Sequence, residues 1–334
     1  MNAKTDPANQ PSDGQPVAPP LRIGISSCLL GHEVRFDGGH KHDRFLTGTM
    51  GQYFEWVSVC PEVEIGLGIP RPTLRLERHG DETRLIMPKT SQDHTDSMRK
   101  YAKRRVDELA GEDLSGYVLK SRSPSCGMER VKVYPKDGGG GGAKTGRGLF
   151  AETLLDRFPL LPVEEDGRLN DPRIRENWIT RVFAYRRLQD LWKPKWSLGD
   201  LVAFHTAHKY LLLAHSQKDY RELGRLVASA KQLPRKELQA AYETQFSDAL
   251  KRIASPAKHT NVLHHILGFF RKDLDAASRA ELLAHIDDYR YGRTPLVVPL
   301  TLIAHYVRIL EVKFLKDQVY LQPHPRELAL RNHV

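Results

Sequence analysis

A chain of 334 residues has the length of about two domains of the usual roughly 100 to 200 residues, each able to bury its own core. Its 51 Lys+Arg against 41 Asp+Glu leave a formal charge of +10, and no stretch reaches the roughly 18 uninterrupted apolar residues of a membrane span, because Lys, Arg or His breaks every candidate such as 296–314. The three cysteines, Cys28, Cys60 and Cys126, are odd in number and widely spaced, a poor disulfide framework.

The first twenty residues are Pro, Gln, Asp, Gly and Ala without an apolar run, so they read as a disordered tail rather than a signal peptide. A cytoplasmic setting with reduced thiols is the expectation. LRIGISS at 21–27 reads as a strand, followed by a glycine-punctuated segment and a helical pattern through Phe45, Leu46, Met50 and Phe54. WVSV at 56–59 reads as a second strand, closed by Cys60 and Pro61, since proline removes the next ladder donor. Residues 74–76 and 83–87 flank the turn sequence HGDE as a hairpin, and 97–109 has helical spacing. A further strand at 117–119 leads into KSRSPSCG, which carries Cys126, and the five glycines at 138–142 read as a spacer.

Each cysteine therefore sits at or just past the end of a strand. In an open parallel sheet, the loops leaving the carboxyl ends gather along one edge and ligands bind where the strand order reverses, so the three thiols are placed to converge. Three soft thiolates without a nearby fourth suit a [4Fe–4S] cluster held through three irons, with one coordination position left open. Zinc held by the cysteines and one of His32, His40 or His42 is the competing assignment, against which stands the lack of close Cys-x₂₋₄-Cys pairs.

The segments ISSCLLGHEVRFDGGHK around Cys28, VCPE around Cys60 and KSRSPSCG around Cys126 resemble the thiouracil desulfidase family over roughly residues 21–160. The resemblance implies a Rossmann-like α/β fold, a cluster bound by Cys28, Cys60 and Cys126, a unique iron that takes up thiocarbonyl sulfur, Glu62 as the acid/base residue and Ser123 beside the substrate. The chemistry is self-consistent, because a C=S group is a soft ligand and its replacement by C=O needs water and a proton carrier but no change of oxidation state. Glu64 is a second carboxylate candidate or an ordinary solvated residue. Ser123 and Ser125 flank Pro124 and have simple turn formation as their alternative role. The loop Asp37–Lys41 stays outside the catalytic set.

Beyond the proline-containing segment 158–172 the pattern turns helical, with helices expected near 173–192, 198–215, 218–231, 235–253, 257–272, 278–289 and 295–315. Ser197 with Asp200 and Ser278 with Glu281 have capping-box form or close to it. In the second helix Leu198, Leu201, Val202, His205, His208, Leu212 and Leu213 form the apolar stripe, and His205, His208 and His215 read as packing histidines rather than a second metal site. The expected organisation is thus a tail at 1–20, a mainly parallel α/β catalytic domain at 21–165 and a basic all-α domain at 166–334.

Residues 1–170 hold 24 basic and 24 acidic side chains, whereas 171–334 hold 27 and 17, so all the surplus positive charge lies in the helical half. Such a segment attracts a polyanion. Candidate RNA contacts are Arg186, Lys209, Lys218, Arg221 and Arg225, with Arg187, Lys258, Arg271 and Lys272 further choices. This half, most recognisably DLVAFHTAHKYLLLAHS, resembles the helical domain fused behind the desulfidase domain, and that resemblance implies a tRNA 4-thiouridine desulfidase. Free thiouracil is the alternative substrate, and an iron–sulfur redox sensor or RNA-binding regulator the alternative class. No membrane association and no obligate protein partner are expected.

Overall fold

The computed structural model describes residues 20–136 and 140–333. The expected tail at 1–20 falls almost wholly outside them, as do Gly138 and Gly139 of the glycine run. The chain opens with strand β1 (Leu21–Ser26), passes through one turn of 3₁₀ helix at Ser27–Leu30 and a π-helical turn at Phe45–Met50, and enters β2 (Phe54–Val59) and the short helix α1 (Pro61–Glu64). Phe54, expected in the helical pattern, instead opens β2 opposite Leu21, because its ring is buried against Trp56 and Trp178.

Next come β3 (Arg75–His79), β4 (Glu82–Met87), β5 (Gln92–Asp93), α2 (Thr95–Leu109), β6 (Gly116–Leu119), β7 (Val131–Pro135), β8 (Ala143–Gly146), α3 (Leu149–Arg157) and β9 (Val163–Glu165). β2, β1, β6 and β9 form, in that order, a four-stranded sheet that is parallel throughout. β1 has its successors on both sides, which makes it the place where strand order reverses. The other strands form a second sheet, ordered β5-β4-β3-β7-β8 and mixed in direction; β3 and β4 are the expected hairpin, while β5, β7 and β8 were not announced by the sequence pattern. Its strands are short, and β8 has no buried residue to create an alternating pattern.

The helical half consists of α4 (Pro172–Leu191), α5 (Leu198–His215), α6 (Gln217–Ala228), α7 (Arg235–Lys251), α8 (Pro256–Leu267), α9 (Ala276–Arg290), α10 (Val297–Ile309) and α11 (Lys313–Lys316). α4 begins where Asp171 accepts the backbone N–H groups of Arg173 and Ile174, with Pro172 in the first turn, and α5 begins with the Ser197/Asp200 capping box. At α9 the cap is Asp275 rather than Ser278; the Ser278 N–H is the group being capped. The helix expected at 295–315 is broken after Ile309, where Glu311 takes a positive φ.

One face of the parallel sheet packs on α2 and α3 through Met98, Phe150 and Leu154, and the other takes Trp178, Ile179 and Val182 of α4 together with Leu328 and Leu330 from the end of the chain. The next turns of α4, Ala184 and Leu188, belong to the helical core. α4 is thus shared: Trp178 Nε1 donates to the Pro162 carbonyl, Asn177 Nδ2 to the Leu250 carbonyl, and Arg186 pairs with Asp113 at 2.5 Å. One helix welds the two halves together.

Candidate functional site

The carboxyl ends of β2, β1 and β6 lie side by side, and the chain delivers one cysteine beyond each: Cys60 directly after β2, Cys28 in the turn after β1, and Cys126 in the loop after β6. All three line one cavity of about 400 Å³, in the range of small-molecule sites. The three thiols thus reach the cavity from segments that follow three adjacent strands rather than from one close pair. Among the described residues, no three His, Cys, Asp or Glu side chains are grouped closely enough to hold one metal ion.

Burial dominates the chemistry of the thiols. It pushes Cys28 up to about 11 against the nearby Lys120 charge, raises Cys60, and raises Cys126 well above its ordinary value with help from the Glu62 charge and against a hydrogen bond from Ser26. As bare thiolates these side chains are disfavoured; a cationic group in the cavity would reverse that, because coordination deprotonates a thiol.

Glu62 stands in the first turn of α1 and lines the same cavity. Arg71, itself buried, aims Nε and Nη2 at Glu62 Oε2, at 3.0 and 2.6 Å, while Ser125 donates from Oγ to Oε1 at 3.0 Å. The carboxylate is therefore fixed in orientation, yet Oε1 keeps a lone pair for a proton. Arg71 also donates from Nη1 to the Val34 and Gly68 carbonyls, and its N–H binds the Phe36 carbonyl, so the same residue stitches the loop after Cys28 to the site. Glu64 has a different task. It accepts the Cys60 N–H at 2.9 Å and the Tyr101 hydroxyl at 2.7 Å, bracing the cysteine turn against α2.

Ser123 lines the cavity, and its Oγ accepts the N–H groups of Ser125 and Cys126, at 3.2 and 3.1 Å, which shapes the turn that carries the third cysteine. That turn is seated on the start of α3: Leu149 and Phe150 donate to the Pro124 and Ser125 carbonyls. The approach is so close that a Cβ on Gly148 would lie 2.5 Å from the Ser125 carbonyl group, so glycine is required there.

The sequence reading missed four contributors. Arg71 sits alone in a Gly- and Pro-containing loop with no motif to mark it. Lys120 lies at the head of KSRSPSCG, donates to Asp166 at 2.7 Å and lines the cavity; Asp166 is lowered despite its burial because of that ion pair. Arg35 and Lys41, in the loop left outside the catalytic set, also face the cavity, whereas His40 and His42 are engaged within the loop, His42 with Thr47.

In the helical half the candidate RNA contacts separate. Arg186 is neutralised by Asp113 and Asp190, Arg187 is spent on the Pro323 carbonyl and Lys258 on the His215 carbonyl, so these cations hold the fold. Lys209 is half-buried on α5. Lys218, Arg221 and Arg225 recur three and four residues apart along the exposed face of α6, with Lys218 3.9 Å from Glu222. Of the expected stripe on α5, Leu201 is fully buried in the helical core, whereas Val202 is 48% exposed.

Residues 23–166 match the family model described as 2-thiouracil desulfurase, and residues 209–325 match one described as a protein of unknown function, DUF1722. Among curated proteins, the chain is 36% identical over 165 residues to the uncharacterized protein YbgA of Escherichia coli (strain K12), an alignment that covers 49% of this chain and 98% of that one. Among solved structures, a [4Fe-4S]-dependent thiouracil desulfidase, TudS, is 29% identical and covers 45% of this chain and 94% of its own, with a TM-score of 0.35.

Proposed function

The chain belongs to the family of the Escherichia coli protein YbgA, and with residues 23–166 matching the 2-thiouracil desulfurase model we propose that it removes sulfur from a thiolated pyrimidine, 4-thiouridine in tRNA being the substrate. The observation that carries this reading is the cavity in which three cysteines from three adjacent parallel strands meet a single oriented carboxylate. Cys28, Cys60 and Cys126 would hold a [4Fe–4S] cluster. The donor set suits it: three soft ligands spaced across three strands, not grouped for a single ion, with thiols that burial keeps protonated until a cationic group arrives. A cluster with three protein ligands supplies one open iron, a soft Lewis acid matched to a thiocarbonyl sulfur.

The chain's own groups handle water and protons. The reaction replaces C=S by C=O with one water and releases hydrogen sulfide, so no electrons are exchanged. Glu62, through Oε1, takes a proton from the attacking water and returns it to the departing sulfur or the ring nitrogen. Arg71 holds Glu62 in the productive orientation, and Lys41 at the cavity wall, without an ion-pair partner among the described residues, favours negative charge developing on the ring. Ser123 retains a hydroxyl proton to offer the ring carbonyl.

The tRNA assignment rests on the charge excess of residues 171–334 and the exposed cationic face of α6. A free thiouracil is the second reading, favoured by the family description and by a cavity large enough for a base alone. Anaerobic reconstitution with iron and sulfide, followed by incubation with 4-thiouridine-containing tRNA and with free 2- and 4-thiouracil, decides between them. Thiocarbonyl absorbance lost from tRNA with release of sulfide, and abolished in Cys60→Ala and Glu62→Ala, is the expected result; loss from free bases alone transfers the function to the second reading, and no loss from any substrate overturns both.

A further inference from the structure

Next to the cysteine cavity lies a larger groove of about 1070 Å³ that shares Lys120, Ser121, Arg122 and Pro124 with it and runs outward over the second sheet, along β3, β7 and β8. Although residues 1–170 are neutral overall, this groove is not. Arg122, Arg130, Lys132 and Lys144 line it with no ion-pair partner among the described residues, while of its two acids Glu129 faces Arg168 at 3.5 Å and Glu165 accepts the Met128 N–H.

Two features show that the charge is placed at a cost to the fold. Lys132 on β7 and Lys144 on β8 are direct cross-strand partners, and like charges directly opposite each other destabilise a ladder. Arg122 and Arg130, at either end of the loop bearing Cys126, both have positive φ, 61° and 54°, where a non-glycine residue is strained. Tyr134, half-buried on the same wall, is covered by the Arg75 guanidinium, 5.1 Å from its ring centre.

We propose that this groove is a single-stranded RNA track on the α/β half, with the phosphates flanking the thiolated nucleotide against Lys132, Lys144, Arg122 and Arg130. It deepens the tRNA reading above and rests on it. The concave shape and the continuity with the cysteine cavity favour a strand whose one base turns inward; a flat anionic membrane would meet only the rim. An anion between Lys132 and Lys144 relieves their repulsion, which is why the pair is tolerated.

The test uses the full chain and a single-stranded RNA of about ten nucleotides, with affinity measured by fluorescence anisotropy across a salt series. Lys132→Thr with Lys144→Thr removes two phosphate contacts and keeps residues that suit strands, so affinity is expected to fall at least about tenfold and the slope of log K against log salt to flatten by about 1.4. Melting at an equal or higher temperature shows that the doubly substituted chain folds. Arg122→Asn with Arg130→Asn, which tolerates the positive φ, is expected to act in the same direction. Unchanged affinity and slope in both double variants overturn the proposal, as does loss of binding to anionic phosphatidylserine vesicles with RNA binding intact. Turnover of free 4-thiouracil by the unaltered, cluster-loaded chain is measured in parallel. So is its turnover of 4-thiouridine-containing tRNA, and absence of both sinks the desulfidase reading without touching the RNA affinity that decides this one.

Discussion

The cysteines of the α/β half and the histidines of the helical half are both sets of metal-capable side chains, and they end in opposite states. His208 is stacked on Phe204 with ring centres 4.0 Å apart and donates from Nδ1 to the Phe204 carbonyl; His215 donates to the Arg252 carbonyl; His259 pairs with the Tyr320 hydroxyl. Each of these rings has one nitrogen taken by a neighbour, although His208 Nε2 has no partner among the described residues and His215 and His259 also border a small cavity of about 140 Å³. The cysteines line a shared cavity, and among the described residues only Cys60 makes a contact with a protein acceptor, a long one of 3.8 Å to the Val34 carbonyl, alongside the Ser26 bond to Cys126. Donor atoms that are left facing space together are candidates for chemistry, whereas donors consumed one by one are structure.

The comparison breaks most sharply on metal content. Cys126→Ala is expected to abolish iron uptake and desulfuration altogether, while His208→Phe leaves the iron-to-protein ratio unchanged; iron and sulfide assays on both variants check it. If the histidine variant loses iron, the two sets are not separate. Next in size, Glu62→Gln is expected to lower kcat by about 10² to 10⁴ with the cluster spectrum intact. A cluster lost along with activity would make Glu62 structural instead.

Acid sharpens the contrast from the histidine side. Burial lowers His205 and His215 to about 4 and His208 to about 3, from an ordinary 6.5. Between those values the unfolded chain binds more protons than the folded one, so the neutral rings contribute stability in full above about pH 6.5, and it is lost as pH falls towards 4 and 3. Unfolding free energy is expected to drop by at least about 2 kcal/mol between pH 7 and 5 and to recover part of that loss in His208→Phe. Denaturant titrations at both pH values measure this, and equal stabilities would contradict the buried neutral state.

The smallest effects test how the third cysteine is held. Gly148→Ala is expected to cost about 1 to 3 kcal/mol as the start of α3 is forced from the Ser125 carbonyl, and Ser123→Ala about 1 kcal/mol as two N–H groups lose their acceptor. Thermal melts of the two variants give the order, and a neutral Gly148→Ala would show that the turn is free to move.

Much was legible in the residues alone. Buried strand runs such as LRIGIS and capped amphipathic helices are local signals, so the α/β and all-α halves and most helix bounds follow from spacing and capping. The placement of the cysteines beyond strand ends was legible too, because Cys28 and Cys60 lie within two residues of their strands and Cys126 in the loop that leaves β6. What the sequence could not hold was anything that depends on pairing across the chain. The mixed second sheet, the partnership of Lys132 with Lys144, the grip of Arg71 on Glu62 nine residues away, and the ion pairs that neutralise Arg186 arise only when distant segments meet. Charge and residue type are written locally, but whether a side chain is spent on the fold or left for a ligand is decided by its neighbours in space, and tertiary packing alone chooses those.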